Sequence, residues 1–173
     1  MSPQIEGLPI EIEFAPQLRA HAGKLVIGNT QRGREVHAGT FIRRRRIVLD
    51  AALKRKTSEL ARILIHELFH FVWVRLGNPK RRAFEGVLRR EIRARAPGEL
   101  GWSAEHLKIA LLRRDPVHRT KRWREYACES FCDTAAWIFS GVGRHGEFTL
   151  PAVQRRERRA WFERMRLTQR ISV

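Results

Sequence analysis

Residues 63–73 read ILIHELFHFVW, and between Arg62 and Arg75 every residue is apolar except His66, Glu67 and His70. A helix this apolar is buried nearly all round, so its three polar side chains cannot simply face bulk water. An ionised carboxylate buried without a partner is costly, and two unpaired imidazoles add to the penalty. The segment therefore needs a compensating group inside the fold, and a bound cation is one. His66 and His70 stand four apart, so their rings leave the same helical face and can grip one metal ion at about 2.0–2.1 Å each. Glu67, one residue further round, stands where it can take a proton from a water held beside the ion.

Thr57 or Ser58 can cap this helix, which runs to Leu76 before Gly77 and Pro79 stop it. The pattern predicts a second helix from Pro79 to just before Pro97-Gly98. Ser103 can cap a third, AEHLKIALLRR, ended by Asp115-Pro116, and a fourth spans about His118 to Ser140. Thr149 and Pro151 open a last one, PAVQRRERRAWFERMRL. The first fifty residues instead carry β-like pieces, PIEIEF, KLVIGN and TFIRRRRIVLD, punctuated by Gly, Asn and Pro. The expected architecture is α+β: a small N-terminal antiparallel or mixed sheet in residues 1–50, then about five helices in residues 57–173. At 173 residues one domain with a real core is expected.

A net charge of +17 and a pI near 11.5 speak for association with nucleic acid or another polyanion, but say nothing about chemistry. Only 6 of the 35 basic residues are lysine, a skew that genome composition explains as readily as phosphate binding. The N-terminal MSPQIEGLPIEIEF has no basic, apolar leader pattern, and no stretch approaches a membrane span. A soluble, cytoplasmic protein with no membrane partner is expected. Cys128 and Cys132 are the only cysteines, too few for a disulfide framework or a four-thiolate zinc site. A redox or metal role is one reading of them, but packing one helix against another is the expected one, and Phe69, Trp73, Phe131 and Trp137 are expected to lie in the core.

His66-Glu67-Leu68-Phe69-His70 resembles the HExxH signature of zinc peptidases. The metzincin extension would place Gly at 73 and His at 76, where this chain has Trp73 and Leu76, so that branch is excluded. In REYACESFCDTAAWIF, Glu129 and Asp133 stand four apart on another helix among Ala127, Cys128, Phe131, Cys132, Ala135 and Ala136. Two carboxylates in such surroundings repel unless a cation intervenes. The pair is similar to the ExxxD element of gluzincins, the thermolysin-like clan. The resemblance implies a zincin-like fold with Zn2+ bound by His66, His70 and Glu129, and Asp133 accepting a hydrogen bond from the outward ring nitrogen of one histidine. The spacer is longer than in thermolysin and resembles that of small, minimal gluzincin-like bacterial proteins. Two other third ligands stay open. His145 lies in RHGEF, which resembles a stretch of SprT-like DNA-associated proteases, and Glu125 lies one turn before Glu129.

The activity so implied is zinc-dependent hydrolysis of peptide bonds in a peptide or protein substrate by metal-activated water, with Glu67 as general base. Tyr126, one turn before Glu129, is a candidate oxyanion donor. The strand TFIRRRRIVLD is the natural edge for an extended substrate, and its Arg43–Arg46 run suggests acidic peptides. A different class also fits: a nucleic-acid-associated regulator, or an SprT-like protease, on a zincin fold. Its surface would be the last helix, where Arg155, Arg156, Arg158, Arg159, Arg164 and Arg166 surround Trp161 and Phe162. Weak, non-specific nucleic-acid binding is expected of it.

Overall fold

The computed structural model describes residues 3–22, 24–28 and 33–173. The start of MSPQIEG and Asn29 of KLVIGN lie outside them. The fold is α+β. Its strands are β1 (Gln4–Glu6), β2 (Glu11–Ala15), β3 (Leu18–His21), β4 (Lys24–Ile27), β5 (Arg34–Glu35), β6 (Ala38–Phe41), β7 (Arg46–Asp50) and β8 (Arg170–Ser172). Its helices are α1 (Thr57–Arg75), α2 (Asn78–Arg93), α3 (Trp102–Ile109), α4 (Asp115–His118), α5 (Lys121–Phe139) and α6 (Ala152–Arg164). Among the described residues no helix is long and apolar enough to cross a membrane.

The described strands form three small sheets where one was expected. β7 is central to a mixed sheet, with β2 parallel on one side and β6 antiparallel on the other; β3 pairs antiparallel with β4 and β5; β1 pairs parallel with β8. TFIRRRRIVLD is not one strand but a hairpin. Residues Ile42–Arg44 make a 3-10 turn, and Arg45 closes it in the left-handed region at φ 50°. Arg45 then donates to the carbonyls of Pro9 and Leu8, and Arg46 pairs with Glu13. Half of the arginine run thus fastens the hairpin to the segment beside it, and Arg43 and Arg44 stay exposed.

α1 and α5, 19 residues each, form the centre of the helical layer. Phe69 of α1 stacks on Phe139 at 5.4 Å between centroids, and Phe131 of α5 stacks on Phe162 of α6 at 5.0 Å. Burying these rings fixes the rotation of both helices, and so decides which residues turn towards each other. Neither Thr57 nor Ser58 caps α1. It follows a 3-10 turn that Asp50 opens by accepting from Ala52 N at 2.8 Å, and Lys56 occupies the cap position. At the other end Arg81 donates to the carbonyls of Trp73 and Val74 at 2.8 and 2.6 Å, answering the helix's unpaired acceptors.

The expected third helix ends at Ile109 rather than Arg114. Asp115 Oδ2 accepts from Leu112 N at 2.7 Å and folds the chain into the single turn of α4, which Arg119 terminates at φ 47°. The expected fourth helix therefore starts at Lys121, with Thr120 as its side-chain cap. Among the described residues six α-helices stand where about five were expected.

A second buried assembly braces this layer. Arg158 of α6, fully buried, reaches Glu91 through Nε and Nη2 at 2.9 and 2.6 Å, and Glu99 through Nη1 and Nη2 at 2.8 and 3.0 Å. Lys108 Nζ lies 3.4 Å from Glu99, so two cations meet two carboxylates and no net charge is left inside.

Candidate metal centre

α1 buries Ile63, Phe69, Val72 and Trp73, which leaves His66, Glu67 and His70 facing a cleft of about 460 Å³. α5 buries Ala127, Phe131, Cys132 and Ala135, which turns Glu129 and Asp133 to the same cleft. Arg34, His37 and Trp102 also line it.

The two imidazoles lie edge to face, 5.0 Å between centroids, and both aim Nε2 at one carboxylate. His66 Nε2 is 3.3 Å from one oxygen of Glu129, and His70 Nε2 is 3.8 Å from the other. Behind His66, Nδ1 lies 2.7 Å from Asp133 Oδ1. Behind His70, Nδ1 lies 3.5 Å from Cys128 Sγ. Each ring thus has one nitrogen fixed by a partner and the other turned inward, the arrangement that sets tautomer and direction in ligating histidines. Asp133 is itself held, because its second oxygen accepts from Ala104 N at 3.4 Å at the start of α3.

Burial opposes charge on His66, yet Asp133 and Glu129 outweigh it and raise its pKa well above the usual imidazole range. Burial pushes Asp133 up, against the pull of His66. Burial also works against the charged form of Glu129, but the hydrogen bond from His66 holds its pKa below the ordinary value. His66 and the two carboxylates thus favour one another's charged forms. His66, His70 and Glu129 are of the donor types that hold Zn2+, but their ligand atoms do not all lie within 4.8 Å of one another, and the groups that do each include a cysteine.

Both cysteines come closer to this centre than helix packing alone requires. The ligand atoms of His70, Cys128 and Glu129 lie within 4.8 Å of one another, as do those of His66, His70 and Cys132. A hydrogen bond from Cys132 lowers the Cys128 thiol to about 6 against the effect of burial, with His70 adding to the fall. Burial pushes Cys132 well above the usual thiol range, which makes it the poorer donor.

Glu67 lines the same cleft, and Thr40 of the edge strand β6 donates to its Oε2 at 2.5 Å. Above the cleft Arg34 lies 4.6 Å over the Trp102 ring, and Trp102 stacks on His106 at 5.3 Å.

Three candidates fall elsewhere. Tyr126 is fully buried, and its hydroxyl donates to Glu99 at 2.6 Å inside the Arg158 assembly, so it is not an oxyanion donor in the cleft. His145 Nε2 lies 2.5 Å from Glu59, and its Nδ1 accepts from Glu147 N at 3.2 Å, so both ring nitrogens are engaged away from the other ligands. Glu125 pairs with Lys121 on the surface. Residues the sequence did not single out are Thr40, Ala104 and Trp102, and Cys128 in its contact with His70. Only the last carried a signal, its place next to Glu129.

No family model, characterised protein or solved structure matches this chain.

Proposed function

We propose that the chain is a zinc-dependent metallopeptidase of the gluzincin type on a zincin-like fold. The observation that carries the reading is the convergence of His66 Nε2 and His70 Nε2 on the two oxygens of Glu129, at 3.3 and 3.8 Å, with Asp133 behind His66 and Glu67 in the same cleft. A closed structural site has no need of a further carboxylate beside its ligands, and Glu67 is one.

His66, His70 and Glu129 would hold the ion. When bound, zinc lowers the pKa of a coordinated water towards neutrality and polarises a peptide carbonyl. Glu67 accepts the proton of the attacking water and delivers it to the leaving amine. Thr40 holds one oxygen of Glu67 and leaves the other for that transfer. β6 is an edge strand, so its backbone can pair with an extended substrate and bring a carbonyl to the centre.

The test combines metal analysis with a broad peptide-library assay. The purified protein should carry about one zinc per chain, and Glu67→Gln should keep the zinc while losing hydrolysis. No zinc uptake, or undiminished hydrolysis in Glu67→Gln, overturns the reading.

A further inference from the structure

A second hollow, about 790 Å³, opens between the C-terminal turn of α1, the start of α2, the end of α6 and the β1–β8 pair. Its size lies within the ~300–1,000 Å³ of small-molecule sites. The apolar part of its lining comes from Val72, Leu76, Pro79, Met165 and Leu167. Its charge comes from Arg75, Lys80, Arg166 and Arg170 against one acid, Glu6, which already pairs with Arg170.

In the cleft of His66 and His70 the lining cations are engaged: Arg62 is held by Glu59 and Glu147, and Arg34 lies over the Trp102 ring at 4.6 Å. Here the side chains of Lys80 and Arg166 have no hydrogen-bonding or ionic partner among the described residues. Arg75 donates only to the carbonyl of Phe71, at 3.3 Å, and stands near a like charge, Arg45. The first turn of α2 has neither a side-chain cap nor an acidic residue to answer its exposed N–H groups. Three uncompensated cations around an apolar bed match an anion of several charges attached to an apolar body. Met165 and Leu76 suit a flat ring, since a thioether packs well against aromatic faces.

We propose that this hollow binds a small polyphosphate-bearing ligand, its phosphates held by Arg75, Lys80 and Arg166 and its ring system laid on Val72, Leu76 and Met165; a nucleoside triphosphate has this chemistry. The site is separate from the metal centre. It shares no lining residue with the cleft of His66 and His70, so it stands or falls independently of the peptidase reading.

Isothermal titration of the full chain with ATP, GTP, inorganic triphosphate and adenosine, at about 50 mM salt where surface charge is little screened, tests this. To keep nucleotide phosphates from being counted at the metal centre, the titrations are repeated on His66→Ala/His70→Ala. ATP or GTP should bind both proteins alike, one per chain, with inorganic triphosphate roughly tenfold weaker for want of the apolar contact and adenosine weaker still. Lys80→Glu/Arg166→Glu, two exposed and unpartnered positions whose exchange should leave the melting temperature unchanged, should weaken nucleotide binding by at least tenfold. Equal binding in that folded variant, binding that vanishes with the metal ligands, or inorganic triphosphate binding as tightly as ATP overturns the proposal. So does short duplex DNA that displaces nucleotide and binds more tightly than it, which would make the hollow part of a nucleic-acid surface.

Discussion

Gly101 sits so close to Asp133 that a Cβ placed on it would fall 2.2 Å from the carboxylate carbon and 2.3 Å from each oxygen. Its backbone is extended at φ −174°, so what the position demands is empty space. The start of α3 can then press against Asp133 and donate Ala104 N to it, while Asp133 faces His66. Gly101→Ala should push Asp133 off this line and weaken zinc binding by roughly 10- to 100-fold, as loss of a partner behind a ligand does. Competition with a chelator measures it. Unchanged affinity would mean that Asp133 does not orient His66.

The ligands can be ranked by their variants. His66→Ala, His70→Ala and Glu129→Ala should each lose zinc and the thermal stabilisation that a bound ion confers on the folded state. Asp133→Ala should retain zinc at roughly 10- to 100-fold lower affinity. His145→Ala and Glu125→Ala should bind zinc normally, because Glu59 and Lys121 occupy those side chains. Loss of metal in His145→Ala with retention in Glu129→Ala would reverse the assignment.

Tyr126 and Arg158 belong to stability rather than chemistry. Tyr126→Phe removes one donor to Glu99 and should cost about 1–3 kcal/mol in urea unfolding, with zinc content and hydrolysis intact. Arg158→Met leaves Glu91 and Glu99 buried without their main partner, and should cost about 3–5 kcal/mol. Lost hydrolysis in a stably folded Tyr126→Phe would restore Tyr126 to the mechanism.

The same assembly sets a pH dependence. Burial tends to raise the Glu99 pKa, but the Arg158 guanidinium outweighs it and holds it below the ordinary value of 4.5. A carboxylate with a depressed pKa contributes stability above its unfolded value and loses it as pH falls through its folded value. Glu99→Gln should therefore melt well below the wild type at neutral pH, and the gap should close as pH is lowered beneath 4.5. A gap that is constant or widens in acid would contradict the pairing.

Duplex DNA should bind only loosely. Of the six arginines that crowd α6 and its end, Arg158 is buried and Arg159 lies 4.6 Å over Trp137, so the last helix offers fewer free charges than its sequence suggests. Binding should collapse between about 50 and 200 mM salt to a Kd weaker than about 10⁻⁶ M, with no sequence preference. Nanomolar binding at the upper salt concentration would make nucleic acid a true partner.

The grouping of candidate ligands could be read in the sequence because it rests on helical period and charge burial alone. His66 and His70 share a face by spacing, and two carboxylates among Ala and Cys on α5 have to face something charged. Tyr126 could not be placed that way. α5 is buried on most sides, so the small rotation between Tyr126 and Glu129 carries the phenol into a different interior. The break in TFIRRRRIVLD depends on Arg45 entering a left-handed conformation that arginine does not advertise. β8 was invisible because its partner β1 lies at the other end of the described chain. The contact of Gly101 with Asp133 exists only once α3 meets α5.

The β1–β8 pair also orders events in time. Gln4 is in register with Arg170, so their pairing closes a loop spanning nearly the whole described chain, and Val173 N adds a bond to Glu6 O at 2.8 Å. Contacts so distant in sequence carry a high closure entropy before any reward, and form late. During synthesis Arg170–Ser172 follows α1 to α6 out of the ribosome, so this helical layer can assemble before the clasp shuts. The wall that Gln4, Gln169 and Ser172 give the second hollow thus forms after the helical layer it closes against, and pulse-labelled hydrogen exchange during refolding should find it protected later than α1 and α5.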